Sequence, residues 1–512
     1  MPLCSDKKWE CNMVYDVQAP LAAAASGLVE LEQRVRDDLA CLCYPPTNWV
    51  VPTPGTEKIY DVVVIGGGMC GLVASFALRA GGISNIRVLD RSPEGFEGPW
   101  LTYARMETLR SPKQLVGPAF GVASLTFRSW YVAQFGNTAW ASLDKIARPM
   151  WMEYLRWYRK ILQIPVENEI EVKSILPEHS LMRLELAGVK AQEKSILARK
   201  VVMATGRDGM GHPTIPEFMT GLDRQFWAHS SDPINFSALR GKRVAVIGVG
   251  ASAVDNAAEA LEAGAKEVRH LIRRKQMPQI NKLMGIGSFG FTAAFSRLDD
   301  ARRWQLMNYS LRTQTPAPRG STLRVSRHKN AYFHFDSAVE AVSSHGSGIA
   351  ISIAGGRQLE TDFLILGTGF SVEPLARKEL CGYADKILLW RDHYTPPKEE
   401  ENRELGNFPY LAADFSFRER EAGTAPWLRN IYSFNAGAAA SLGKLSGDIP
   451  GISEGAAILA REIANTLYQE NFDQHWQRLQ DYDTPELRGD EWSASPLPAN
   501  LETENYNDIR EK

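Results

Sequence analysis

Cysteine is sparse in this chain. Cys4, Cys11, Cys41, Cys43, Cys70 and Cys381 are scattered, with no C-x-x-C among them. That pattern excludes a disulfide framework and a C-x-x-C redox pair, and it points to a reduced, cytoplasmic compartment. An excess of one charge is lacking as well. The 58 Lys and Arg stand against 60 Asp and Glu, a net charge of −2, so nothing favours nucleic acid or an anionic membrane as partner. Long apolar runs are also missing. The longest, Val62 to Ala80, follows Asp61, contains Gly66, Gly67, Gly68 and Gly71, and includes Arg79. It reads as strand, turn and helix rather than as a membrane span. The first residues carry Asp6, Lys7, Lys8 and Glu10 where a secretion signal needs an apolar core. The 512 residues, 44% of them hydrophobic, suffice for two or three domains.

What the chain does have is two glycine fingerprints, each closing an apolar run and opening a helical pattern. The first, DVVVIGGGMCGL, holds Gly66, Gly68 and Gly71; the second, RVAVIGVGASAV, holds Gly248, Gly250 and Ala253. In such a motif the first glycine allows a tight turn and the second lets the backbone approach a pyrophosphate. The third position must be small so that helix and strand can pack. The diphosphate meets the positive end of the helix. Two units imply two dinucleotides face to face, as when a nicotinamide reduces a flavin.

Around these units the pattern is coarser. Leu28, Leu31, Val35, Leu39 and Leu42 form one stripe of a helix, which either packs on the domain surface or supplies a homodimer contact, and Pro45, Pro46, Pro52 and Pro54 follow as a linker. Strands are expected at Ile86–Asp90, Lys200–Ala204, Val268–Ile272 and Phe363–Leu366, and helices at Pro149–Leu162 and Asp299–Leu311. The stretch 276–330 reads as an irregular, Arg-rich insertion with that one helix, and the last 30 residues as a polar tail. Strands ending in Thr205–Gly206 and in GTGF (Gly367 to Phe370) mark the crossings between two domains.

This arrangement resembles the class B flavin-dependent monooxygenases: flavin-containing monooxygenases, Baeyer–Villiger monooxygenases and amine N-hydroxylases. The carriers are GGGMCGL, VVMATG (Val201 to Gly206), FWAHSSD (Phe226 to Asp232), GKRVAVIGVGASAVD (Gly241 to Asp255) and LILGTGF (Leu364 to Phe370), over roughly residues 58–470. The resemblance implies an α/β fold with two Rossmann-like dinucleotide-binding domains, the NADPH domain inserted in the FAD domain. The expected bounds are 1–56 for a helical extension and linker and 57–235 for the first part of the FAD domain. The NADPH domain follows at 236–360, and 361–512 holds the rest of the FAD domain and the tail. It further implies that one atom of O2 reaches a small-molecule substrate through a C4a-(hydro)peroxyflavin. An amine nitrogen or sulfur is the expected acceptor. Baeyer–Villiger oxygenation of a ketone and plain flavin reduction or oxidation are the alternatives.

Residue roles follow. FAD is expected on Gly66, Gly68, Met69, Cys70 and Gly71, with Asp90 at the ribose, beside Arg91, Trp100, Thr205, Gly206 and Gly369, and with Asp448 and Gly451 at the start of a helix facing the flavin. Cys70 reads as a small packed residue rather than a redox thiol. NADPH is expected on Gly248, Gly250, Ala251, Ser252 and Ala253. Arg273 and Arg274 stand there in place of a ribose carboxylate, and guanidinium groups match a 2′-phosphate. Arg110, Ser111 and Lys113 lie where relatives bring a segment across the flavin ring and are the catalytic candidates. His229 corresponds to a histidine that orients the interdomain linker. The Baeyer–Villiger arginine is missing: its place falls on Ala338, with Arg324 and Arg327 as the nearby stand-ins. No metal site is expected.

Overall fold

The computed structural model describes residues 27–346 and 348–497. The expected lack of a leader at Asp6 to Glu10 and the end of the expected tail lie outside them. Residues up to Asn465 form one compact unit and those from Thr466 onward a second. In the second, the helix Phe472–Asp481 buries none of its residues.

Two parallel sheets organise the first unit. In one, β1 (Ile59–Ile65) lies between β2 (Ile86–Asp90) and β6 (Ser195–Met203). Beyond β2 stands β3 (Val166–Asn168), and β4 (Glu171–Glu178) and β5 (Leu181–Ala187) add an antiparallel flank to β6. The unbroken apolar run of β1 fits this place, because a central parallel strand is covered on both faces. Its Val62, Val63 and Val64 are fully buried. The late strand β17 (Ile431–Tyr432) also joins β6.

The other sheet has the order β11-β10-β9-β15-β8, from β8 (Trp227–His229), β9 (Arg243–Ile247), β10 (Glu267–Leu271), β11 (Ala331–His334) and β15 (Phe363–Leu366). β8 and β15, which lie outside the expected bounds 236–360, hydrogen-bond in this second sheet. One face packs on helix α5 (Ala251–Glu262), and the other on an antiparallel trio unseen in the sequence: β12 (Val339–His345), β13 (Gly348–Ile353) and β14 (Arg357–Thr361). The two chain crossings pair with each other, as β7 (Gly211–Pro213) runs antiparallel to β16 (Phe370–Val372).

The helices on these sheets are α1 (Leu28–Cys41), α2 (Met69–Ala80), α3 (Phe127–Ser142), α4 (Arg148–Ile161) and α5 (Ala251–Glu262). Leu31, Val35 and Leu39 of α1 are buried, and Ser124 Oγ donates to Asp38 at 2.5 Å. The middle of the α1 stripe is thus packed within the chain, while Leu42 at its end is exposed. The insertion 276–330 is more ordered than its irregular sequence indicates, holding α6 (Phe289–Ala294), α7 (Asp300–Thr313) and α8 (Arg319–Ser326). Arg324 of α8 pairs with Glu259 and Glu262 of α5, and Val325 joins the core beneath it.

Candidate active site

The two fingerprint turns have nearly the same backbone. Gly66 adopts φ +109° and Gly248 φ +105°, a region that L side chains rarely reach. Their N–H groups donate to Leu89 O at 2.7 Å and to Leu271 O at 3.1 Å. Gly68 and Gly250 stand directly before α2 and α5, so both helix N-termini open onto the turn.

Around the first turn, Asp90 ends β2 and accepts from the N–H of Gly67 and of Ser92, both at 2.7 Å. Its carboxylate is thereby held at the turn. Met69 and Cys70 begin α2 and are buried. Cys70 Sγ donates to Ser446 O at 3.3 Å, and burial pushes its thiol up to about 12, which removes it from thiolate chemistry. Thr205 and Gly206, at the end of β6, are tied to the late chain: Asn435 Nδ2 donates to Met203 O and Thr205 Oγ1, and Ala436 N–H to Gly206 O. Trp100 is buried edge-on to Trp151 of α4. Arg91 is 3.9 Å from Asp208. Asp448 pairs with Lys444 at 3.0 Å, and Gly451 leads directly into the helix Ile452–Glu470.

A cavity of about 310 Å³ adjoins this turn, lined by Gly67 and Gly68, by Gly95 and Glu97, and by Arg156 and Arg159 of α4. Arg159 donates to Glu97 and Asn168, and Asn168 in turn donates to Glu97. Arg156 Nε is buried with no hydrogen-bond partner among the described residues. A glycine-lined helix N-terminus beside cationic side chains fits a dinucleotide diphosphate.

Around the second turn, a methyl at Ala253 is accommodated because the GTGF strand end supplies a glycine. A Cβ on Gly367 would fall 2.3 Å from Ala253 Cβ. Ser252 Oγ lies 2.9 Å from Ser230 Oγ, joining the fingerprint helix, which begins at Ala251, to the HSSD segment. Arg273 and Arg274 follow β10 on the side of this turn. Arg274 donates to Arg312 O of α7 at 3.0 Å, and Arg273 is exposed.

His229 sits where the domains cross. Its Nε2 donates to Gly369 O at 2.9 Å, its Nδ1 is 2.7 Å from Ser231 Oγ, and burial lowers its pKa. Such a ring ties strands together and is poorly placed for proton chemistry.

The catalytic candidates separate. Arg110 donates to Pro316 O at 2.7 Å, and burial lowers its pKa while the charges of Asp255 and Asp448 oppose that shift. The neighbouring Ser111 is half-buried. Lys113 donates its ammonium to the carbonyls of Trp140, Ala141 and Leu143, at the end of α3. A cation there satisfies orphan carbonyls and complements the helix dipole. Arg324, the stand-in for a Baeyer–Villiger arginine, is likewise spent on Glu259, Glu262 and Arg105 O.

Sequence reasoning missed Asn435, Ser446 and the Glu97–Arg159–Asn168 set. Their partners lie from 9 to 376 residues away, and no spacing motif joins them.

A family model described as pyridine nucleotide-disulphide oxidoreductase matches residues 63–284. The chain is 35% identical to an FAD-dependent urate hydroxylase of Xanthomonas campestris pv. campestris over 466 residues, which is 90% of this chain and 98% of that protein. The chain belongs to the family of FAD-dependent hydroxylases. It is 25% identical over 413 residues to a Baeyer-Villiger monooxygenase of Pseudomonas aeruginosa, spanning 70% of this chain and 73% of that one. Its fold is similar to that of an ornithine hydroxylase of Pseudomonas aeruginosa, with a TM-score of 0.60 at 18% identity over 80% of this chain and 99% of the other. No described helix is long and apolar enough to cross a membrane, and no metal-binding cluster occurs among the described residues.

Proposed function

We propose that this FAD-dependent hydroxylase uses NADPH and O2 to hydroxylate a small, electron-rich, nitrogen-bearing substrate. The overall change is substrate–H + O2 + NADPH + H⁺ → substrate–OH + H2O + NADP⁺. The observation that carries the reading is the 35% identity across nearly the whole urate hydroxylase, which moves the expected acceptor from an amine nitrogen or sulfur toward a nitrogen-rich ring such as urate. Bound FAD would supply the reducible ring and the reaction with oxygen. In this reading the chain's residues divide the remaining work. The Gly66–Gly71 turn and Asp90 hold the FAD diphosphate and ribose, beside Arg91, Trp100, Thr205, Gly206, Gly369, Asp448 and Gly451. The Gly248–Ala253 turn takes the NADPH diphosphate, and Arg273 and Arg274 take its 2′-phosphate. Arg110 and Ser111 face the space between the two turns, and His229 orients the crossing. Against ketone oxygenation, Arg324 is committed to ion pairs with α5 and is not free to hold an oxygen anion.

The test is anaerobic bleaching of the flavin by NADPH, followed by oxygen and a panel of urate, related purines, amines, sulfides and ketones. One atom of labelled dioxygen should appear in the hydroxylated product and one in water. Conversion of all consumed oxygen to hydrogen peroxide with every substrate would leave an NADPH oxidase in place of this reading.

A further inference from the structure

The two fingerprints solve one packing problem in different ways, and the difference exposes a residue with no motif of its own. In the first turn the carbonyl of Gly66 lies against residue 71, where a Cβ would fall 1.8 Å from that oxygen. Only glycine fits there. In the second turn the corresponding residue is Ala253, and the carbonyl of Gly248 has a hydrogen-bond donor, His270, whose Nδ1 is 3.0 Å away. A carbonyl oxygen only accepts, so Nδ1 carries the hydrogen. The strand registers align the two units: Val246 stands opposite His270 as Val64 stands opposite Val88. The first unit therefore has valine, with no donor, where the second has histidine. His270 is fully buried and lies flat on Phe333 of β11, with centroids 5.0 Å and planes 2° apart, and its Nε2 has no hydrogen-bond partner among the described residues. A buried imidazole with one nitrogen unpartnered is costly to keep in a core. Its one polar contact is the coenzyme turn.

We propose that His270 is a positioning residue for the nicotinamide coenzyme, holding the Gly248 carbonyl so that the N–H groups of the second turn face the diphosphate. This rests on the reading that the second turn binds NADPH. The experiment uses FAD-loaded protein and measures NADP⁺ binding by calorimetry, beside the flavin-to-protein ratio and the unfolding temperature. H270F keeps the ring on Phe333 and removes the donor; H270N keeps a donor near the place of Nδ1 and removes the ring. H270F should raise the NADP⁺ Kd about five- to tenfold with flavin content unchanged, the effect of one lost hydrogen bond. H270N should stay within about twofold of the parent Kd while unfolding at lower temperature. Adding A253G to H270F should recover part of the affinity, because the carbonyl can then settle on residue 253 as Gly66 settles on Gly71. H270V, which installs the residue of the first unit, gives the same comparison if the phenylalanine variant does not fold. Unchanged affinity in the donor-free variants, or equal weakening in H270N, overturns the proposal. Parent enzyme whose flavin NADPH cannot bleach and which does not bind NADP⁺ overturns the coenzyme reading and this proposal together.

Discussion

At the scale of single residues the two turns make opposite demands on the same position. Gly71→Ala would set a Cβ 1.8 Å from a backbone carbonyl, a clash that no side-chain rotation relieves. The variant should purify with little or no flavin, read as visible absorbance per mole of protein. Ala253→Gly has no clash to make, so its cost is the intrinsic preference of a helix for alanine, up to about 1 kcal/mol. Full flavin retention in Gly71→Ala would mean that the first turn is not where FAD is held. His270 carries a second consequence. Burial pushes its pKa down to about 4 from the usual 6.5, so between these values the unfolded chain binds the proton that the folded chain refuses. This residue's contribution to stability is complete above pH 6.5 and is lost as the pH falls toward 4. The unfolding midpoint of H270F should therefore fall less than the parent's across that window. Parallel pH curves for the two proteins would show that His270 does not carry the proton linkage.

At the scale of elements, legibility in the sequence followed burial and spacing. β1, α2, β9 and α5 could be read because a fully buried strand, a glycine turn and a helix start follow one another without a gap. α8 could not be read. Its RGSTLRVS has little apolar periodicity, and its order comes from Arg324 reaching α5 and Val325 entering a distant core. Helices that depend on tertiary packing carry little local signal. The trio β12–β14 was missed for a related reason, since its exposed and half-buried residues do not alternate cleanly along β12. Of the candidate site, the turn residues were legible. The contacts of Lys113 were not legible, because the carbonyls it serves lie 27 to 30 residues away. Lys113→Met should lower stability by about 1 kcal/mol, the scale of a cation at a helix C-terminus, seen as a lower unfolding temperature. Turnover per bound flavin should be unchanged. A large fall in turnover with stability intact would return Lys113 to the active site.

At the scale of the whole molecule, two nucleotide sheets must present their turns to one another, and the chain passes between them twice. The crossings are bound as a ribbon. Thr214 N–H donates to Gly369 O at 2.9 Å, and Thr368 Oγ1 donates to Thr214 O. His229 adds its Nε2 hydrogen bond to the same Gly369 carbonyl from the end of β8. One carbonyl thus gathers both crossings and the edge strand of the second sheet. Loss of this bond should leave each turn intact while loosening the orientation of one against the other. Hydride transfer is steeply sensitive to such placement, because misplacement by about 1 Å can cost a hundredfold in rate. His229→Phe keeps the ring beside Phe370 and deletes the donor. Its FAD content and NADP⁺ affinity should match the parent, while the rate of flavin bleaching by saturating NADPH in stopped flow should fall at least tenfold. A bleaching rate equal to the parent's would mean that the ribbon alone fixes the crossing. A parallel loss of NADP⁺ affinity would move His229 from the hinge to the coenzyme site.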